Sequence, residues 1–271
     1  MLWTELTGGR FGEAVEASGG LCLLPMGCIE RHGPHLPLGT DQMVADEVSR
    51  RATEREPAVV FPSYYFGKIW TARHYPGAFA ARRELLTQVL GNTLEEIARN
   101  GFDRILIVNG HGGNPSLLHF FLRSLLAEEP DYAVYATNLY ELDAEAQQRW
   151  KDEFSGGGEG SHADERETSV MLHLWPELVQ MEDLTPPEDG ENRGRLEHLE
   201  GLDSPLSWYA RYPTHYAGDA HPAAPEKGEF LVGAMVERLA RQMRAIKSDQ
   251  TTPELMKEFY SRSDHRRSAG D

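Results

Sequence analysis

The stretch Leu21-Cys22-Leu23-Leu24-Pro25-Met26-Gly27-Cys28-Ile29-Glu30-Arg31-His32-Gly33-Pro34-His35-Leu36-Pro37-Leu38-Gly39-Thr40-Asp41 opens as a strand and closes where a helix begins. Its first six residues are a continuous apolar run, the pattern of a strand buried on both faces. Directly after it, two histidines, a glutamate and an aspartate crowd into the segment from Glu30 to Asp41. Carboxylate oxygens with imidazole nitrogens are the mixed ligand set that zinc, manganese or iron accepts. Glu30 and His32, two apart in extended chain, point the same way into one polar pocket. Gly33, Pro34, Pro37 and Gly39 keep the segment stiff, as ligands require. The competing reading is a loop whose histidines cap backbone groups.

Outward from this stretch, strand-like and helix-like segments alternate. Strands are expected over 21–26, 59–65, 104–109 and 133–138. A helix is expected over 41–56, with Met43, Val44, Val48 and Ala52 at helical spacing. A second over 84–100 carries Leu85, Leu86, Val89, Leu90, Leu94 and Ile97 and is closed by Gly101. A third has Asn114 as N-cap and Pro115 as first residue, with Leu117, Leu118, Phe121, Leu122 and Leu125 as its buried stripe. This alternation predicts an α/β fold, a three-layer α/β/α sandwich with a mainly parallel central sheet. Beyond it lie a glycine-rich loop over 156–160 and a helix opened by a Ser161-x-x-Asp164 capping box and continued by Met171, Leu172 and Leu174. An aperiodic excursion over 186–224 and a helix over 226–246 follow. Residues 1–247 are expected to form one domain and 248–271 a polar tail, frayed over 261–271.

The chain has 271 residues, 40% hydrophobic and 26% charged, which suits a globular domain with a full core. With 27 Lys and Arg against 43 Asp and Glu, the formal net charge is -16. That balance argues against a nucleic-acid partner and favours a neutral or cationic small-molecule substrate. Two cysteines, Cys22 and Cys28, make no disulfide framework and no Cys-x-x-Cys pair; Cys22 reads as core, and Cys28 lies nearer the chemistry. No signal peptide and no membrane-spanning run is visible, so a cytoplasmic protein is expected.

A second polar cluster, Asn109-Gly110-His111-Gly112-Gly113-Asn114, sits between a strand and the helix at Pro115. In open parallel sheets, ligands gather beyond the carboxyl ends of the strands, so His111 is expected beside Glu30 and His32. A phosphate-binding loop is the rival, but the Lys-Ser/Thr tail it needs is missing. The third cluster is Ser161-His162-Ala163-Asp164-Glu165-Arg166-Glu167-Thr168-Ser169. His162, beside the glycines, is placed to reach a substrate, whereas Glu165 alone reads as a solvated, helix-start acid.

Together these three motifs resemble the creatininase (creatinine amidohydrolase) family, in order through roughly residues 20–240. The resemblance implies a metal-dependent hydrolase of C–N bonds with a parallel sheet between helix layers, two adjacent divalent ions (zinc, manganese or iron) and a homo-oligomer, commonly a hexamer. Carried onto this chain, Glu30 and His111 hold one ion, His32 the other, and Asp41 bridges both, while His162 matches the proton-transferring histidine. Creatininase itself has a further glutamate ligand where this chain has Gly113, and Glu167 is the carboxylate available to replace it. The family often places Ser and His before a Phe-Pro-Gly turn, whereas this chain reads Trp70-Thr71-Ala72-Arg73-His74-Tyr75-Pro76-Gly77. Creatinine is therefore disfavoured as substrate, and formamides, other cyclic amides or peptide bonds stand as alternatives. Trp70 and Trp208 either line such a pocket or pack.

The chemistry agrees with the resemblance. Two divalent ions about 3.5 to 4 Å apart lower the pKa of a water from near 16 towards 7 and polarise a carbonyl. An imidazole with a pKa near 6.5 then passes a proton to the departing nitrogen. A dinuclear iron oxidase and a non-catalytic metal-binding protein are the rivals that the same ligand types permit.

Overall fold

The computed structural model describes residues 1–156, 160–185 and 194–263. Four strands, β1 (Leu21–Met26), β2 (Val59–Val60), β3 (Arg104–Asn109) and β4 (Ala133–Asn138), form a parallel sheet in the order β2-β1-β3-β4. Leu23 pairs with Leu106, and Met26 with Asn109, which in turn pairs with Asn138. The carboxyl ends of β1, β3 and β4 are thereby level, and their loops emerge side by side. The second strand ends at Val60 rather than at residue 65. Pro62 brings no N–H to a ladder, and beyond Val60 the chain meets β1 and the residue after it through Phe61 N to Leu23 O, Tyr64 N to Pro25 O and Gly27 N to Tyr64 O.

Side chains of β1 and β3 alternate between two apolar layers, as the pleat dictates. Leu21, Leu23, Leu106 and Val108 meet the helices α2 (Thr40–Ala52), α6 (Glu165–Leu174) and α8 (Pro225–Ser248). Cys22, Leu24, Met26, Ile105 and Ile107 meet α1 (Phe11–Ala17), α3 (Arg83–Arg99) and α4 (Pro115–Ser124) on the other face. The three-layer α/β fold is present as expected, and Cys22 is core. Three shorter or peripheral helices, α5 (Ala144–Arg149), α7 (Ser207–Arg211) and α9 (Thr251–Ser263), complete the described chain. Among the described residues, no helix is long and apolar enough to cross a membrane.

Several local expectations are corrected. The helix over 41–56 ends at Ala52, and 53–56 continue only as turns. Only Leu118 and Phe121 of the predicted α4 stripe are buried. Asn114 makes no side-chain cap on α4, because its amide is engaged elsewhere. Asp164, not a Ser161 capping box, starts α6 by accepting from the backbone N–H groups of Arg166 and Glu167. Glu165 is buried, not solvated: it pairs with Lys227 and accepts from Gly156 N. The tail stretch carries α9, seated by Tyr260 donating to Leu125 O and Glu128 O. Of the glycine loop, 157–159 lie outside the described residues, as do 186–193 of the excursion and 264–271 of the tail.

Packing requires a glycine where α6 and α8 cross. At Gly228 on α8, an added Cβ would stand 1.9 Å from the Ser169 carbonyl oxygen on α6. The two helices cross that closely, which fixes where α6 presents its first turn.

Candidate metal centre

The loops beyond β1 and β3 and the first turns of α2 and α6 converge above the level carboxyl ends of the strands. Glu30 and His32 come from the loop after β1, Asp41 from the start of α2, His111 from the residue pair after β3, and His162 and Glu167 from the entry to α6. All six are buried. His111 Nδ1 lies 2.8 Å from Glu30 Oε1 and 2.8 Å from Asp41 Oδ2. The other Asp41 oxygen, Oδ1, is 2.9 Å from His32 Nε2, which is 3.9 Å from Glu167 Oε2. Asp41 thus turns one oxygen to each of two donor groups, Glu30 with His111 and His32 with Glu167. Cys28 borders the first group, its thiol 3.2 Å from Asp41 Oδ2.

Hydrogen bonds beneath the cluster fix the rings. His111 Nε2 donates to the Lys68 carbonyl oxygen at 3.1 Å, which leaves Nδ1 facing the carboxylates. Asn109 accepts from His111 N and from the Asn114 amide, and Asn114 in turn accepts from Lys68 N at 2.8 Å. The Asn-Gly-His-Gly-Gly-Asn motif is therefore a lattice of amides around one imidazole, which is why Asn114 is not free to cap. His32 Nδ1 donates to Glu30 O, directing Nε2 to Asp41. His162 Nε2 donates to Arg31 O at 2.8 Å, and its Nδ1 lies 3.9 Å from Glu167 Oε2. His35, the second histidine of the first motif, points away and hydrogen-bonds Thr168 Oγ1 at 2.8 Å.

His215 was not singled out from the sequence. Its Nε2 donates to Glu30 Oε2 at 2.7 Å, while its Nδ1 accepts from the indole N–H of Trp208 at 3.1 Å. It sits at φ 59°, a left-handed conformation costly for a residue with a Cβ. Nothing periodic marks it, since it belongs to the aperiodic excursion and its partner Glu30 is 185 residues away.

Electrostatics shows a cluster in need of positive charge. Burial pushes Glu167 up to about 8, against the pull of His32. Burial opposes ionisation of Asp41 as well, yet His32 and His111 hold it down to about 2. Glu30, also opposed by burial, is held well below the carboxylate range by His111. Burial alone would lower His32, but Asp41 raises it to about 10. His162 is the exception: burial lowers it to about 3, so its ring is neutral. Glu30 Oε1 is buried without a hydrogen bond, although a ring nitrogen stands beside it. A buried carboxylate oxygen left so, within a set of hard and borderline donors that approach within 4.8 Å of one another, fits divalent cations. The same donors in protonated form are a costly substitute.

Beside the cluster a cavity of about 350 Å³ is lined by Glu30, His111, Gly113, Ser161, His162 and His215 with Lys68, Ile69, Trp70, Thr71, Gly112 and Trp208. Both tryptophans raised by the sequence are on its wall. Comparison with known proteins settles the lineage. The creatininase family model, described as creatinine amidohydrolase, matches residues 4–243. The chain belongs to the creatininase family. It is 28% identical over 258 residues to the creatinine amidohydrolase of Pseudomonas putida, covering 89% of this chain and 95% of that protein. It is 34% identical over 232 residues to a mycofactocin precursor peptide peptidase of Mycobacterium ulcerans (strain Agy99), covering 81% and 84%. Among solved structures, a creatininase mutant of Zn-Zn type and a creatininase with Mn both superpose with TM-score 0.74 at 26% identity. They cover 92% of this chain and 98% or 99% of theirs.

At Gly113 the chain leaves no room for a side chain. A Cβ there would lie 2.3 Å from His111 Nε2 and 3.0 Å from Lys68 O. The His111 ring, with the Lys68 carbonyl behind it, fills the space a side chain at 113 would need, and Glu167 is the carboxylate that faces His32 and Asp41.

Proposed function

We propose that this creatininase-family protein is a metal-dependent amidohydrolase that cleaves a non-peptide or cyclic C–N bond of a small molecule. Glu30, Asp41 and His111 would hold one divalent ion, and His32, Asp41 and Glu167 the other, zinc, manganese or iron. The observation that carries this reading is Asp41, whose two oxygens face two separate donor groups in one buried cluster. Bound there, such ions lower the pKa of water towards 7 and polarise the carbonyl under attack.

The chain's own residues supply the rest. His215 and Lys68 O orient Glu30 and His111. His162, neutral in its buried setting and on the cavity wall, takes a proton from the attacking water and passes that proton to the departing nitrogen, which otherwise leaves as a strongly basic amide anion. Its Nε2 is committed to Arg31 O, so Nδ1 is the atom that exchanges the proton. Trp70 and Trp208 exclude water and flank the substrate. We place the protein in the cytoplasm.

Metal analysis of the purified protein, then chelation, reloading and a screen of formamides, lactams and short peptides, tests the reading. The expected result is about two ions per chain and a colourless protein active with zinc or manganese. A coloured, oxygen-consuming iron protein would point to the oxidase. His162→Ala should lower turnover by roughly 10² to 10⁴-fold with metal content unchanged. Loss of metal in that variant would make His162 a ligand instead. Peptidase activity is the second reading, supported by the 34% identity to a peptide peptidase, and cleavage confined to the peptides would select it.

A further inference from the structure

Lys68 stands apart from the other partly buried lysines. Lys227 is paired with Glu165, and Lys247 with Glu56 at 2.6 Å. Lys68 lines the candidate catalytic cavity and, among the described residues, its ammonium meets no carboxylate; it donates instead to the hydroxyl of Ser116 at 2.8 Å. In an acid-rich chain of net charge -16, a lysine left without a counter-charge on a cavity wall is a departure that needs a reason.

Its main chain is also pinned. Lys68 N donates to Asn114 Oδ1 and Lys68 O accepts from His111 Nε2. The residue that carries the ammonium is thereby the one that orients His111, so the charge is held within a side chain's length of the buried cluster. Ser116 is the second residue of α4, where the unpaired N–H groups and the helix dipole add to the positive potential. Among the described residues, Lys68 is the one lysine or arginine that lines this cavity.

From this we infer that the substrate carries an anionic group, carboxylate or phosphate, that binds the Lys68 ammonium while its amide is presented to the metal centre. The inference rests on the amidohydrolase reading for the role of the amide, but not for the anion site. It reverses the expectation from net charge of a neutral or cationic substrate. Charges on the far surface are screened within about 8 to 10 Å, so the side chain on the wall decides.

The test uses metal-loaded protein and the variants Lys68→Gln and Lys68→Arg, which leave the Lys68 backbone contacts in place. Quenching of tryptophan fluorescence is followed during titration with inorganic phosphate and, separately, with acetate. At least one of them should bind the parent protein, Lys68→Gln should weaken that binding roughly tenfold or more, and Lys68→Arg should largely restore it. The preferred anion tells phosphate from carboxylate. In kinetics, Lys68→Gln should raise KM for N-formylglycine relative to N-formylglycinamide by a similar factor. Equal binding by parent and Lys68→Gln, or no binding of either anion to the parent, overturns the inference. Lys68-dependent anion binding without hydrolysis of any amide would leave the anion site standing and remove the amidohydrolase reading instead.

Discussion

Asp41 is the residue at which the two donor groups meet, and its replacement separates the two readings of its place in the sequence. Asp41→Asn keeps the shape but loses the charge that both groups share, so metal content by elemental analysis should fall to near zero. If Asp41 served only as an acid in the first turn of α2, the same change would cost about 0.3 to 1 kcal/mol of stability and leave metal bound. His215 acts one step further out, on Oε2 of Glu30, while Oε1 stands beside His111. His215→Ala should weaken metal affinity by roughly 10 to 100-fold in a chelator competition while the far-ultraviolet spectrum stays native. Unchanged affinity would reduce its contact with Glu30 to packing. At this scale the sequence showed every residue whose signal is local. Glu30, His32 and Asp41 stand in one run, and His111 stands at a strand end among glycines. His215 gave no such signal, because its role depends on a left-handed turn bringing it back to a loop far earlier in the chain.

Helix α6 carries Glu167, and two contacts decide where that helix stands. One is the approach of Gly228 to Ser169, and the other is the hydrogen bond between His35 and Thr168. Burial holds the His35 imidazole down to about 4, with His32 adding to the effect. The folded chain therefore resists a proton that the unfolded chain accepts below its ordinary value near 6.5. The stability from keeping His35 neutral is complete above that value and is lost as pH falls from about 6.5 towards 4. Denaturant titrations of the parent and His35→Gln should show the parent losing more stability than the variant between pH 7 and pH 5. Parallel losses would mean that the ring is solvated. The helices themselves were legible from apolar spacing, as Leu90, Leu94 and Ile97 of α3 show. Their caps were not, since Asn114 and Asp164 are alternative partners for backbone and side-chain donors, and only the surroundings choose between them.

Over the whole molecule, large apolar side chains remain outside the core, with Phe120 at 64%, Leu202 at 70% and Leu206 at 60% exposure. Such surfaces are costly to leave in water and are commonly covered by self-association. Light scattering should give a mass that is a multiple of 30.4 kDa, with a hexamer expected, and Phe120→Glu should shift it downward if the α4 face is part of the contact. A monomer at micromolar concentration would refute this.

The sequence by itself determined the parallel α/β arrangement, the two motifs that follow β1 and β3, and the family to which they belong. Those features follow from periodicity and from residue types adjacent in the chain. Only the tertiary structure decided that Glu167 faces His32, that His215 holds Glu30, and that Lys68 stands without a counter-charge on the cavity wall. Each of these joins segments far apart in sequence, and no local rule measures distance across a folded core.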